Sequence, residues 1–156
     1  MIPKYRTLFN DRFTLEKYKE FQDDIAADFN YMPTFRMAET PFFISNALKA
    51  QLIEGCNDVI RLIQQDNFKQ LTEKSLELNT KVPNEDEHTT FLAIDFGICE
   101  EDGKVIPKLI EVQGFPSLFN YQYVLYDKFK KHFPFLQELS PFINDITADE
   151  YLEIIE

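Results

Sequence analysis

The sequence predicts an α+β fold, with a small mixed or antiparallel sheet packed by amphipathic helices. Three observations carry that expectation. Leu15, Tyr18, Phe21, Ile25 and Phe29 recur at helical spacing, as do Leu48, Leu52, Cys56, Val59, Ile60 and Ile63. Residues 89–98 and 106–113 have instead the two-residue alternation of strands. Between them lies Glu100-Glu101-Asp102-Gly103, an acidic turn whose glycine suits a tight reversal.

Taken in order, residues 1–13 read as an irregular lead-in. Thr14 is a suitable N-cap for the first periodic helix, because its hydroxyl can accept from a first-turn N–H. Residues 34–39 (TFRMAE) have strand character, and Pro41 ends them. Ser45 can cap the second helix. A third, shorter helix is expected from about Phe68 to Leu76. Residues 82–88 (VPNEDEH) form a polar, proline-containing loop.

On the first strand, Leu92, Ile94, Phe96 and Ile98 share one face, and Phe91, Ala93, Asp95 and Gly97 share the other. Gly97 leaves room there for a ligand to approach closely. Gly114-Phe115-Pro116-Ser117 then turns the chain into a helix with Leu118, Tyr121, Leu125 and Phe129 as its core face. Beyond that helix, Pro134 and Pro141 break the chain into short pieces. Thr147-Ala148-Asp149-Glu150 is a capping box that opens a last helix. No Gly, Pro or basic residue closes that helix, which suggests either a chain that continues or an ordinary frayed end.

The length of 156 residues sets the expectation of one domain, 1–156, or the N-terminal part of a longer protein. Sixteen Phe and seven Tyr supply a large apolar payload without any Trp. A net charge of −11 without a basic stripe argues against a nucleic-acid partner. The short KFKKH run at residues 128–132 reads as a solvated helix end, where cations are favoured. No apolar stretch is long enough for a signal h-region or a membrane span, so no membrane partner and a cytoplasmic location are expected. Cys56 and Cys99 lie far apart outside any CxxC motif and read as buried free thiols. His88 and His132 have no ligand partners at metal spacing, and no catalytic triad can be assembled from them.

The chemistry concentrates in the hairpin. Asp95 lies on the first strand, and Glu111 and Gln113, two residues apart, share a face of the second. Two carboxylates and an amide oxygen make the hard, all-oxygen donor set that Mg²⁺ takes, alongside waters and phosphates. The alternative is a solvent-facing hairpin with ordinary polar outward residues. Register separates the two. A two-residue loop at Asp102-Gly103 would pair Asp95 with Ile110 and put the carboxylates on opposite faces. A shared face requires an odd loop or a bulge. Arg36, near Glu39, offers a fork for a phosphate or carboxylate, or else a surface ion pair.

This pattern resembles the metal-binding hairpin of ATP-grasp ligases, closest to the circularly permuted, glutathionylspermidine synthase type. That family carries an Asp on one strand, a Gly-containing loop, and a strand reading Leu-Leu/Ile-Glu-Tyr/Val-Asn. Here Asp95 and the run Leu109-Ile110-Glu111-Val112-Gln113 match it. The resemblance covers only the hairpin, and it departs in two places. Gln113 stands where Asn is usual, and Ala93 where an Arg usually precedes the Asp. It implies Mg²⁺ on Asp95, Glu111 and Gln113 and ATP as the nucleotide, and Arg36, Gly97 and Gly114 are, from their own chemistry, the candidate nucleotide contacts. The activity it implies joins a carboxylate to an amine through an acyl-phosphate. A non-catalytic binding or assembly module is the competing expectation.

Overall fold

A computed structural model describes residues 2–77, 80, 82–84, 89–115 and 118–155. Among these the chain is α+β, with six α-helices and one two-stranded antiparallel sheet. The helices are α1 (Pro3–Asn10), α2 (Leu15–Phe29), α3 (Asn46–Ile63), α4 (Phe68–Thr72), α5 (Tyr121–His132) and α6 (Ala148–Ile155). The strands are β1 (Ala93–Glu101) and β2 (Lys104–Gln113). The chain clusters into two compact units: Met1–Ser45 with Leu118–Glu156, and Asn46–Ser117.

The first unit is built on aromatic packing. Phe9, Phe21, Ile25, Met37, Phe43, Leu125, Phe129, Phe133 and Leu136 form its buried core. Phe21 stacks on Phe129 with ring centroids 4.5 Å apart, and Phe9 meets Phe133 at 4.4 Å. Phe9 comes from α1, where the sequence suggests an irregular lead-in. Pro3 in the first turn and the apolar face of Tyr5 and Phe9 make that segment a helix. The Thr14 cap forms as expected, its side chain accepting from Lys17 N–H at 3.1 Å. The capping box also forms. Glu150 Oε2 accepts from Thr147 N–H at 2.7 Å, and Thr147 Oγ1 accepts from Glu150 N–H at 3.2 Å.

Residues 34–39 are not a strand. Their backbone finds no ladder partner and is instead held singly, Tyr18 Oη donating to Met37 O at 2.9 Å while Met37 enters the core. Strand propensity without a neighbouring edge does not make a strand.

The KFKKH run is a correction. Lys128 is a buried residue on the core side of α5, its side chain only 7% exposed. Its ammonium donates to Asp28 at 2.6 Å and lies 3.2 Å from Asp24. Lys131 reaches Asp24 at 2.7 Å, and His132 Nε2 lies 3.1 Å from the other Asp24 oxygen. One α2 carboxylate therefore gathers three α5 side chains. Burial alone would pull the Lys128 ammonium down, but hydrogen bonds to Asp28 and Asp24 outweigh it and raise its pKa. The hydrogen bond from Lys131, helped by those from His132 and Lys128 and opposed by burial, lowers Asp24 to about 2.

The second unit rests the hairpin on α3. The ring of Phe96 lies 3.0 Å from where a side chain at Gly55 would begin, so β1 turns its Phe96 face toward that helix. Only a residue without a Cβ lets α3 approach this closely. The expected third helix is shorter than its periodicity suggests. It ends at Thr72 and tightens into a 3₁₀ turn, Glu73–Ser75. Most of the expected 82–88 loop lies outside the described residues.

Asp24 gives the first unit a signed pH dependence. Its folded pKa lies below the ordinary value of 3.8, so the stabilisation is complete above that value and disappears as pH falls through about 2. Denaturant titrations from pH 6 to pH 2 should show a loss of about 2 kcal/mol from this group. In Asp24→Asn that acid-dependent component should vanish while the variant is already weaker at neutral pH. An unaltered acid profile in Asp24→Asn would show that the cluster does not hold α2 to α5.

Candidate functional site: the hairpin face

The loop of the hairpin has two residues, Asp102 and Gly103, between the pair Glu101 and Lys104. Both have positive φ, 51° and 72°, as a type I′ turn requires. That loop alone would set Asp95 opposite Ile110. The register instead shifts between Asp95 and Phe96: Phe96 pairs with Leu109, and Asp95 pairs with Glu111. Ile110 is the extra residue, a β-bulge in β2. It restores the shared face that the loop length would have abolished.

The hairpin is consequently two-faced. Ile94, Phe96, Ile98, Val105, Pro107, Leu109 and Val112 are apolar residues of the Phe96 face. Asp95, Gly97, Lys108, Glu111 and Gln113 belong to the other. Asp95 and Glu111 are exposed and stand directly across from each other, about 5 Å apart at Cβ in such pairs. Gln113 is half-buried, and its amide nitrogen donates to Glu111 Oε1. Offering the amide oxygen to a cation would require the amide to be turned over. The Asp95 side chain has no hydrogen bond or ion pair among the described residues. Lys108 on the same face is engaged by Glu101 at 2.7 Å, so Asp95 and Glu111 face each other as like charges without a paired cation, which disfavours the pair.

The space above Gly97 is filled by the bulge itself. A side chain at Gly97 would begin 3.3 Å from Ile110 Cδ1, and Ile110 remains 68% exposed. Gly97 thus serves the packing of Ile110, which forms an apolar shoulder beside the carboxylates. Gly114 comes directly after β2, with its carbonyl 3.0 Å from the Thr89 hydroxyl, which also lies 2.7 Å from Phe91 O. Arg36 belongs to the first unit. Its guanidinium donates to Glu39 at 2.6 Å and its side chain is 85% exposed. Asp95, Gly97, Glu111 and Gln113 are brought to one face. Gly114 lies just beyond it, and Arg36 is held by its own ion pair.

Sequence reasoning does not single out Ile110 or Thr89. Ile110 could be found by parity, since a two-residue loop and a shared carboxylate face together demand one extra residue between 104 and 111. Thr89 carries no comparable signal. The thiols also differ from expectation: Cys56 is half-buried, which raises its pKa, and Cys99 is exposed on the polar face. The described residues contain no group of three or more His, Cys, Asp and Glu able to hold a metal. The candidate set here has two carboxylates and an amide. No helix among them is long and apolar enough to cross a membrane. No protein-family model, curated protein or solved structure matches the chain.

If Asp95 and Glu111 repel across the strands, Asp95→Asn should stabilise the chain when divalent cations are chelated. A rise in Tm of about 1–3 °C at low salt is expected, fading as salt screens the pair. An unchanged or lowered Tm would mean that the two carboxylates do not face each other.

Proposed function

We propose that the polar hairpin face is a divalent-cation site that, with a nucleotide phosphate, belongs to an ATP-grasp-like carboxylate–amine ligase. The observation that carries this reading is the Ile110 bulge, which sets Asp95 opposite Glu111 against the register that the loop dictates. The donor set fits Mg²⁺: two exposed carboxylates on one face, with an amide within reach, leave the remaining coordination positions to water and phosphate. A cation bound there would offset the two like charges that the register sets opposite each other.

Asp95 and Glu111 would hold the ion, and Gln113 would orient Glu111 through its amide. The bound ion supplies neutralisation of phosphate charge and a fixed orientation for the phosphoryl group. Ile110 would give an apolar wall next to the charged site. In the reaction that the resemblance implies, a substrate carboxylate takes the terminal phosphoryl group of ATP, and an amine then displaces phosphate. No protein nucleophile is required.

A second reading is supported by a different observation. Phe29, Tyr31, Met32, Phe35 and Phe42 are all at least two-fifths exposed within one short segment of the first unit. Exposed aromatics at that density suit a binding or assembly module without catalysis.

Mn²⁺ titration followed by backbone NMR separates the readings. Paramagnetic broadening centred on residues 95–97 and 111–114 is expected, with affinity falling about tenfold or more in Asp95→Asn and in Glu111→Gln. ATP added with Mg²⁺ should then extend the shifts along the same face. Broadening without any response to ATP would leave a cation site and remove the ligase. Broadening that is diffuse, and equal in the two variants, would remove both.

A further inference from the structure

The two outer edges of the hairpin are protected very differently. The sheet has only two strands, so each presents a row of unpaired backbone groups. β2 carries two devices that spoil such an edge. The first is the bulge at Ile110. The second is Pro107. A two-residue loop makes Glu101–Lys104 a hydrogen-bonded pair, and alternation makes Ile98–Pro107 a non-hydrogen-bonded one. The N–H that proline lacks would have pointed outward, so β2 offers an interrupted ladder. In addition, β2 is the strand along which α3 packs.

β1 has neither the bulge nor the proline. Its sequence AIDFGICEE contains no Pro and no Lys, and its shift in register is carried by β2. By the same alternation, Phe96, Ile98 and Glu100 direct N–H and C=O away from β2. No backbone hydrogen bond among the described residues engages them from that side. The edge also has a chemical signature. Ile94, Phe96, Ile98 and, near the turn, Glu100 line it on the side toward α3, and Asp95 and Glu101 on the other, where Glu101 is already paired with Lys108 at 2.7 Å. All of its charges are negative, on a chain of net charge −11. That repels a second copy and any acidic strand, and it attracts Lys and Arg.

We infer that the outer edge of β1 is a docking site for an extended peptide segment in which apolar and basic residues alternate. Main-chain hydrogen bonds to Phe96, Ile98 and Glu100 supply the register. Apolar side chains continue the Phe96 face, and a basic side chain opposite Asp95 finds a carboxylate that has no ion pair. This inference does not depend on the cation site, because it rests on the backbone edge.

The test uses the whole chain with EDTA present and a labelled, end-capped (Val-Lys)₄ peptide as probe, read by fluorescence anisotropy and by amide hydrogen exchange. Two control peptides keep most of the composition: one N-methylated on alternate residues, which keeps charge but cannot form a ladder, and one with Glu in place of Lys. The inference expects saturable binding of (Val-Lys)₄, slowed exchange at the amides of Phe96, Ile98 and Glu100, and binding at least about tenfold weaker for either control. Asp95→Asn should weaken the unmodified peptide while leaving the slowed amides the same. Equal binding of the N-methylated peptide, or slowed exchange elsewhere, would show charge attraction alone and overturn the inference. Equal binding of the Glu peptide would overturn its chemistry. Protection of these amides that rises with protein concentration and without peptide would assign the edge to a second copy instead.

Discussion

One extra residue in β2 determines which side chains the hairpin can present together. A two-residue turn at Asp102-Gly103 fixes the pairing of everything near it, and that pairing would separate Asp95 from Glu111 by a full face. Ile110 changes the parity once, between Phe96 and Asp95. From that point the strands keep their apolar residues toward α3 and bring two carboxylates opposite each other. The bulge has a local requirement of its own, room for the displaced Ile110 side chain, and Gly97 provides it. Register, the acidic pair and the absence of a side chain at position 97 are therefore one feature. A bulge that sets two like charges face to face is a local liability, and such features in strands concentrate where a ligand or partner offsets them.

How far the sequence reveals this depends on which physical signal each residue leaves. Periodicity is sufficient for α2 and α3, because their apolar stripes repeat over four or more turns. Cap chemistry places the starts of α2 and α6, where Thr14 and Thr147 make the bonds their positions promise. Alternation finds both strands, although β1 lies three to four residues nearer the turn than expected and β2 begins two residues earlier, at Lys104. Residues 34–39 carry the propensity of a strand, but a strand needs an edge to pair with, and sequence does not say whether one is near. α1 escapes notice because eight residues are too few for a convincing period. Its helix exists because Phe9 is fully enclosed among other rings.

The buried ion cluster is illegible for a different reason. Lysines at residues 128, 130 and 131 look alike in a basic run, yet α5 turns Lys128 inward beside Leu125 and Phe129. A lysine there is tolerated only because α2 presents Asp24 and Asp28 one turn apart, and these are a hundred residues or more away in sequence. At the hairpin, in contrast, the ingredients are all local: a turn, two strands and a parity argument. That is why the pairing of Asp95 with Glu111 can be posed as a condition on the loop, and why the structure can answer it.

Asp95 stands where the two readings of the hairpin meet, and their requirements differ. A divalent cation needs side-chain oxygens from both strands, so Glu111 is as necessary as Asp95, and the outer backbone of β1 is irrelevant. A docked strand needs that backbone, uses Asp95 only as a counter-charge, and makes no demand on Glu111. The edge asymmetry cannot be explained by the cation, which gains nothing from Pro107 on β2 or from the lack of protection on β1. Nor can the bulge be explained by the strand, which would find the same outer edge on β1 with or without Ile110. Each reading thus rests on its own feature, and the facing like charges of Asp95 and Glu111 are what either occupant would offset.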